Sequence, residues 1–302
     1  MLWIWIVVAS QFCNAAVSLM DKFLLNKKKQ RPAVLTFWTA VFNLLALVFA
    51  LWNFTFFPGW RILIIALLSG AAFTFALHFF YMALEKGETS HISPLVGGVL
   101  PIAALVMSYY LLNERLGGWQ IASVFLLVLG AILISFEKSR RHSGWHIGML
   151  YAIIAGIFFA ASSVLSRAVF LEQSFNTGFV WGRVGCFAAV LPFLFWPSLR
   201  KSIFTKQKQN LPKDKTIFSV FIVDKVLSAL PFIGMSFAVS LASATLVNAL
   251  AGIQYAILFI LIFALSKKLP KVFKEEFYRS EIIVEIIAIV LIAVGVGLIV
   301  MK

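Results

Sequence analysis

Charge is what this sequence has least of. Asp, Glu, Lys and Arg together make up 13% of its 302 residues, against 62% hydrophobic residues and a mean hydropathy of +0.97. Soluble domains carry about 25% charged residues, so a soluble fold is excluded and an integral membrane protein is implied. A very apolar soluble core would also need its runs to stop after about 10–14 residues, and here they do not. Cysteine is nearly absent. Cys13 and Cys186 both lie inside apolar runs, which excludes a disulfide framework and a cysteine metal site and leaves the redox compartment undefined. Enzyme signatures are missing too: no HExxH, no pair of intramembrane aspartates, no Ser/His/Asp set. His142 and His146 stand at i, i+4 without a supporting carboxylate or cysteine, so no metal or other cofactor is expected. The sequence therefore reads as a non-enzyme, with an intramembrane enzyme or a scaffold subunit kept as alternatives.

Apolar runs of spanning length fill the rest. They predict ten helices near 3–25, 33–51, 60–83, 91–112, 118–135, 145–170, 178–199, 217–241, 244–265 and 281–300. The first lacks a basic n-region and is too long for a signal h-region, so it is expected to stay as a membrane helix. The fold expected is an all-α polytopic membrane protein in the cell membrane. The links Glu137–Ser143, Arg200–Lys215 and Lys267–Arg279 are longer and basic, and the last alternates apolar and basic residues as a surface helix would.

The fourth span presents Ser90, Ser93, Pro94, Gly97 and Pro101 on one helical face, small and polar where lipid would need apolar groups. Residues 83–111 align without gaps on 238–266. Ala83, Leu95, Gly97 and Ile102 meet Ala238, Leu250, Gly252 and Ile257, while Ser90 meets Thr245 and Ser93 meets Asn248. Gly130 to Ile134 likewise meets Gly295 to Ile299, and Trp38 and Trp181 hold similar places in the second and seventh spans. The copies lie five spans apart. Because five is odd, the second is inverted, giving two five-helix repeats over 1–136 and 145–302, an arrangement recurrent in secondary transporters.

Ala83-Leu84-Glu85-Lys86-Gly87-Glu88, Ser93-Pro94-Leu95, Pro101 and Leu112-Asn113-Glu114-Arg115-Leu116 resemble the first repeat of EamA-type transporters, in the drug/metabolite transporter superfamily. Ser240 to Ile257, with Ala244-Thr245-Leu246-Val247-Asn248-Ala249-Leu250, is similar to the second repeat. The resemblance implies ten helices and export or exchange of small metabolites without a covalent cofactor. It names no substrate. The second copy departs from the pattern where Lys267-Lys268 replace the acidic turn Asn113-Glu114-Arg115.

An ionisable group inside a span is a functional-site expectation by default. Arg183 lies within the seventh span and the adjacent Asp224 and Lys225 within the eighth. Arg167 and the Asp21-Lys22 pair sit near span ends, where snorkelling is the plainer account. The substrate site is expected where Ser93 and Gly97 of the fourth span and Asn248 and Gly252 of the ninth meet Arg183, Lys225 and Asp224. His78 and Gln254 are further polar candidates, although packing hydrogen bonds account for either. Two fixed cations favour a small-molecule substrate that is anionic or zwitterionic, without excluding a homodimer. A flippase of lipid-linked sugars or phospholipids is the rival within transport.

The net charge of +14 resides on the links, where membrane lipid headgroups suffice as partners and nucleic acid is not implied. Odd-numbered links carry 19 Lys and Arg residues, whereas the opposite side has Arg61, Arg115, Arg167 and Lys302. The positive-inside rule places both termini outside, and the resemblance implies the reverse. A phosphatase fused after Lys302 is expected to be active outside the cytoplasm; a cytoplasmic reporter signal there overturns the charge argument.

Overall fold

The structure is a computed structural model that describes residues 2–24, 32–86, 89–135, 147–204, 215–254, 256–258, 260–261 and 279–300. Within these it is all helical. The elements are α1 (Leu2–Leu24), α2 (Pro32–Phe42), α3 (Trp60–Lys86), α4 (Thr89–Leu112), α5 (Gly118–Ser135), α6 (Ile147–Glu172), α7 (Phe175–Val190), α8 (Pro197–Phe204), α9 (Lys215–Leu241), α10 (Ala244–Ala249) and α11 (Arg279–Val300). Two 3-10 segments, Asn43–Leu51 and Leu191–Phe195, continue α2 and α7. Helix is what a lipid solvent demands, because every backbone N–H and C=O must then be satisfied within its own segment. Among the described residues, five helices are long and apolar enough to cross a membrane: Pro32–Leu51, Trp60–Lys86, Leu95–Leu112, Ile147–Glu172 and Phe175–Phe195. Five shorter apolar helices accompany them.

The expected seventh span, 178–199, begins earlier and ends earlier. Ser174 caps α7 by accepting from the backbone N–H of Thr177 at 3.3 Å, which starts the helix at Phe175. Pro192 then lies in the 3-10 segment and Pro197 opens a separate helix. The basic link expected from Arg200 onward therefore starts inside α8. Residues 267–278 of the last link, which carry its surface-helix pattern, and His142 and His146 lie outside the described residues, and Arg279 opens α11.

Lipid tails are as apolar as Leu, so helices here associate by close backbone approach at small residues. Ala66, Ala72, Ala76 and Ala83 of α3 and Ala152, Ala155 and Ala160 of α6 are all buried, and α3 and α6 form the most extensive helix pair. At the α3–α7 crossing a Cβ on Gly70 would collide with the carbonyl of Gly182, and one on Gly185 would collide with the backbone of Leu67. Only hydrogen fits at either position. A second glycine contact joins α5 to α11: a Cβ on Gly130 would stand 2.7 Å from Ile292 Cγ1, and one on Gly295 would stand 2.8 Å from Leu127 Cγ. Gly297, which aligns with Ile132, has nothing within 4 Å of such a Cβ. The central apolar cluster gathers Val7, Ala104, Leu127, Val164, Ala238, Val247, Leu250 and Ile292, drawn from α1, α4, α5, α6, α9, α10, the turn after α10, and α11.

Loop 52–59 fastens the end of the α2 span to the start of α7. Thr55 N–H donates to Thr177 Oγ1 (2.9 Å), Ser174 Oγ to Asn53 O (2.8 Å), Asn176 Nδ2 to Trp52 O (2.6 Å) and Trp181 Nε1 to Thr55 O (3.4 Å). Gly59 turns the chain into α3 with φ of 93°, a region that costs other residues a Cβ clash.

Overpacking a tight interface costs about 1–3 kcal/mol or more. Gly130→Leu and Gly70→Leu are expected to lower the monodisperse folded yield in detergent severalfold, while Gly297→Leu leaves it near the parent value. Equal losses at all three positions, read by size-exclusion chromatography, would show that the glycine contacts are not what joins these helices.

Candidate functional site

Arg183 is the ninth residue of α7, far from either end of the 21-residue segment Phe175–Phe195. Flanked by Gly182 and Gly185 at the α3–α7 crossing, it enters the protein where the two backbones are closest. The residue is 5% exposed. Three rings close around its guanidinium carbon, with centroids at 5.0 Å for Phe73 of α3, 5.1 Å for Phe179 of α7 and 4.4 Å for Phe232 of α9. Its Nε and Nη1 are buried and have no hydrogen-bond partner among the described residues.

The energetics decide what this arrangement can do. An arginine at the bilayer centre costs about 2.5–3.5 kcal/mol even on the most lenient scale. A desolvated cation over a ring regains up to about 2 kcal/mol, so three rings roughly offset that cost and the cation is tolerable without an anion. The unpaired N–H groups are not satisfied by rings, however, and a charge-assisted hydrogen bond contributes about 1.5–3 kcal/mol. The ring cage therefore offsets the cost of the buried charge but leaves two N–H groups without a partner among the described residues. Phe232 directly follows Pro231, whose missing N–H leaves the Leu227 carbonyl without its helical donor. That ring hangs on the one helix in the cage whose hydrogen-bond ladder is interrupted next to it.

The surroundings extend along one stripe of α6. Phe159 meets Phe73 at 5.7 Å between centroids. One turn on, Ser163 Oγ accepts from Asn248 Nδ2 at 2.8 Å. Another turn on, Arg167 Nε reaches Glu114 Oε1 at 3.4 Å, and its Nη1 donates to the carbonyls of Val239 (3.2 Å) and Ser240 (2.8 Å). Ser243 Oγ donates to the other Glu114 oxygen at 2.7 Å. Snorkelling is thus not the role of Arg167, whose side chain is 15% exposed. It ties the α4–α5 turn to the end of α9, and its carbonyl acceptors are the orphans that any helix C-terminus leaves. Asn113 makes this reach possible. Its φ of 52° lies in the left-handed region that Asn tolerates, and the Glu114 N–H bonds back to Ser108 O at 3.2 Å.

The other expected residues are placed as follows. Ser93 is half-buried with a polar partner of its own, and Gly97 is buried on α4. Gly252 faces the α5–α11 pair, where a Cβ would meet Leu127 O at 3.5 Å and Ile292 at 3.7 Å, so it lies on the packing side of its helix. Thr245 is buried one turn before Asn248 with an unpartnered hydroxyl. His78 stands beside Thr36 Oγ1 at 3.3 Å and Phe193 at 5.3 Å, on the α2 side of α3. Gln254 is half-buried with a partner. The side chains of Asp224 and Lys225 lie outside the described residues. Among the described residues, then, Asn248 bonds to Ser163 of α6, and Arg183 is linked to the same helix only through the Phe73–Phe159 ring contact, while His78 and Gly252 face other neighbours. The cage rings Phe179 and Phe232 were not foreseen; the signal was the i, i+4 spacing of Phe179 and Arg183 and the Pro231-Phe232 pair. No set of three or more metal-ligating side chains occurs among the described residues.

Arg167→Ala is expected to lower the unfolding midpoint of the purified protein more than Glu114→Gln does. The glutamine keeps an oxygen for Ser243, whereas alanine abandons both carbonyls and the carboxylate, a loss of about 1–3 kcal/mol. A cycle through the double variant with no coupling energy would dissolve the pair.

Comparison with known proteins agrees with this description. No curated protein matches the chain. A solved structure, described only as "Crystal structure of protein", superimposes with a TM-score of 0.66 over 98% of this chain and 94% of its own, at 16% identity, which speaks for the fold alone. Residues 1–136 match the EamA-like transporter family. The chain is thus an integral membrane protein whose first 136 residues are EamA-like, consistent with the drug/metabolite transporter superfamily.

Proposed function

We propose that this protein is a secondary transporter of small polar or amphipathic metabolites, anionic or zwitterionic, working as an exporter or exchanger in the cell membrane. The observation that carries this reading is Arg183: a guanidinium buried mid-span, facing rings rather than an anion, with two nitrogens unpartnered. Its cage draws Phe73 from the first half of the chain and Phe179 and Phe232 from the second. A site shared between halves is what alternating access requires. Ten spans in two inverted repeats, 1–136 and 145–302, fit the packing. The α3–α6 pair and the α1–α9 pair are the same pairing once the halves are exchanged, and both α2 and α7 pass into 3-10 segments.

In this mechanism the cargo's carboxylate or phosphate enters the cage, displaces Phe232 from the guanidinium and takes up the free N–H groups. Asn248, Ser93 and Gly97 line the approach to α6, with Thr245 offering a further hydroxyl, and Lys225 and Asp224 bring charge from α9. Gln254 and His78 stand further out, and Gly252 serves the packing behind the site. Binding energy spent on the anion favours the closed state, and rocking of the halves then exposes the site to the other side.

Efflux from proteoliposomes preloaded with a mixture of organic acids, phosphate esters and amino acids tests the reading. Arg183→Ala is expected to lower efflux of the acidic cargo about 10–100-fold, the equivalent of about 1.5–3 kcal/mol. Arg183→Lys rescues poorly, because a point charge does not replace a planar fork. Unchanged efflux of acidic cargo from Arg183→Ala vesicles removes this residue from the site and the anion preference with it.

A further inference from the structure

A second feature lies at the other end of α7. Beyond the 3-10 segment the chain turns at Trp196 into α8, and the corner forms an open surface cleft of about 640 Å³ lined by Leu194, Phe195, Pro197, Arg200, Lys201 and Phe204. The lining divides by chemistry into four apolar residues and two cations. The corner is fixed to the body of the protein by Ile203, which is 5% exposed and packs with Phe37 and Val190, and by the Phe204–Phe37 ring contact at 6.1 Å. The rest faces outward: Phe195 is 84% exposed, Trp196 61% and Phe204 58%.

We propose that this corner is a binding site for an anionic phospholipid, with Arg200 and Lys201 on the headgroup phosphate and Phe195, Pro197 and Phe204 against the start of the acyl chains. Three observations choose this occupant. First, the position is right: fourteen residues separate Arg183 from Pro197, roughly 21 Å along a helix axis, which takes the corner from mid-span to the membrane boundary. Second, exposed Trp and Phe at such a boundary are the residues that settle among headgroups. Third, the charge is complementary. The corner belongs to the side of the membrane whose links hold most of the Lys and Arg, with Lys206 and Lys208 following α8 in sequence and Lys27, Lys28, Lys29 and Arg31 preceding α2, against which α8 packs. Basic clusters beside a span attract the anionic leaflet. A free phosphate ion would use the two cations and leave the apolar floor uncovered; a phospholipid uses both. The site is separate from the transport cage, and it does not depend on the identity of the cargo.

Full-length protein in a neutral detergent is titrated with a fluorescent phosphatidylglycerol, with the phosphatidylcholine analogue and inorganic phosphate as competitors. Saturable phosphatidylglycerol binding is expected that phosphatidylcholine displaces at least tenfold less well and millimolar inorganic phosphate does not displace. Arg200→Ala with Lys201→Ala weakens it about 25-fold, taking each basic residue at the usual surface contribution. Arg200→Lys with Lys201→Arg retains it, and Arg183→Ala leaves it unchanged. Equal displacement by phosphatidylcholine overturns the proposal, as does undiminished binding in the double alanine variant. Displacement by inorganic phosphate assigns the cleft to a free anion, and loss of binding in Arg183→Ala assigns the lipid to the transport cage. Should the double variant not fold, Arg200→Gln alone and the headgroup preference of the parent protein carry the test.

Discussion

The burial of one guanidinium constrains everything around it. Arg183 reaches the interior only because α3 and α7 cross with their backbones nearly touching, and they touch because Gly70 and Gly185 carry no side chain there. Once inside, the cation needs a surrounding of high electron density but no fixed counter-charge, and three Phe rings supply it. A carboxylate from the protein would hold Arg183 more tightly than rings do. The aromatic content of the chain, unremarkable as a bulk property of a membrane protein, acquires a specific use at these positions.

Helix α6 carries the consequences to the rest of the molecule. Phe159, Ser163 and Arg167 follow each other at one-turn intervals, and each engages a different partner: the ring cage through Phe73, Asn248 of α10, and Glu114 of the α4–α5 turn. A small rotation of α6 would disturb all three together. The two buried arginines differ in character, since Nε and Nη1 of Arg183 have no partner among the described residues while Arg167 is bonded to a carboxylate and two carbonyls. Two arginines in one bundle are thus separated by function through their partners alone.

Much of this was legible in the sequence. Arg183 stood out because a charge surrounded by apolar residues has no inexpensive explanation, and Asn248 because its place repeats that of Ser93. Of the ten spans expected from apolar runs, five are helices long and apolar enough to cross a membrane among the described residues. Arg167 was misread because distance from a span end is a local measure, while its partner Glu114 lies 53 residues earlier and was unreadable as such. The glycine crossing was hidden for a similar reason: Gly70 and Gly182 are ordinary glycines until another backbone arrives. Periodicity put Gly252 on the same face as Asn248, yet the helix gives way to a turn at Leu250 and Ala251, and the residue ends up against α5 and α11. α8 escaped notice because eight residues between a 3-10 segment and a basic run are too few to show a period.

Loop 52–59 has a mechanical meaning. Four hydrogen bonds fasten it to the first two turns of α7, and the aromatic pairs Phe49–Phe179 and Phe54–Trp181 lie alongside. Separating the α2 span from α7 would break all of these at once, so the two spans are tied into one unit although they come from opposite halves of the chain. Arg183 sits on that unit, whereas Phe232, the nearest ring of its cage, belongs to α9.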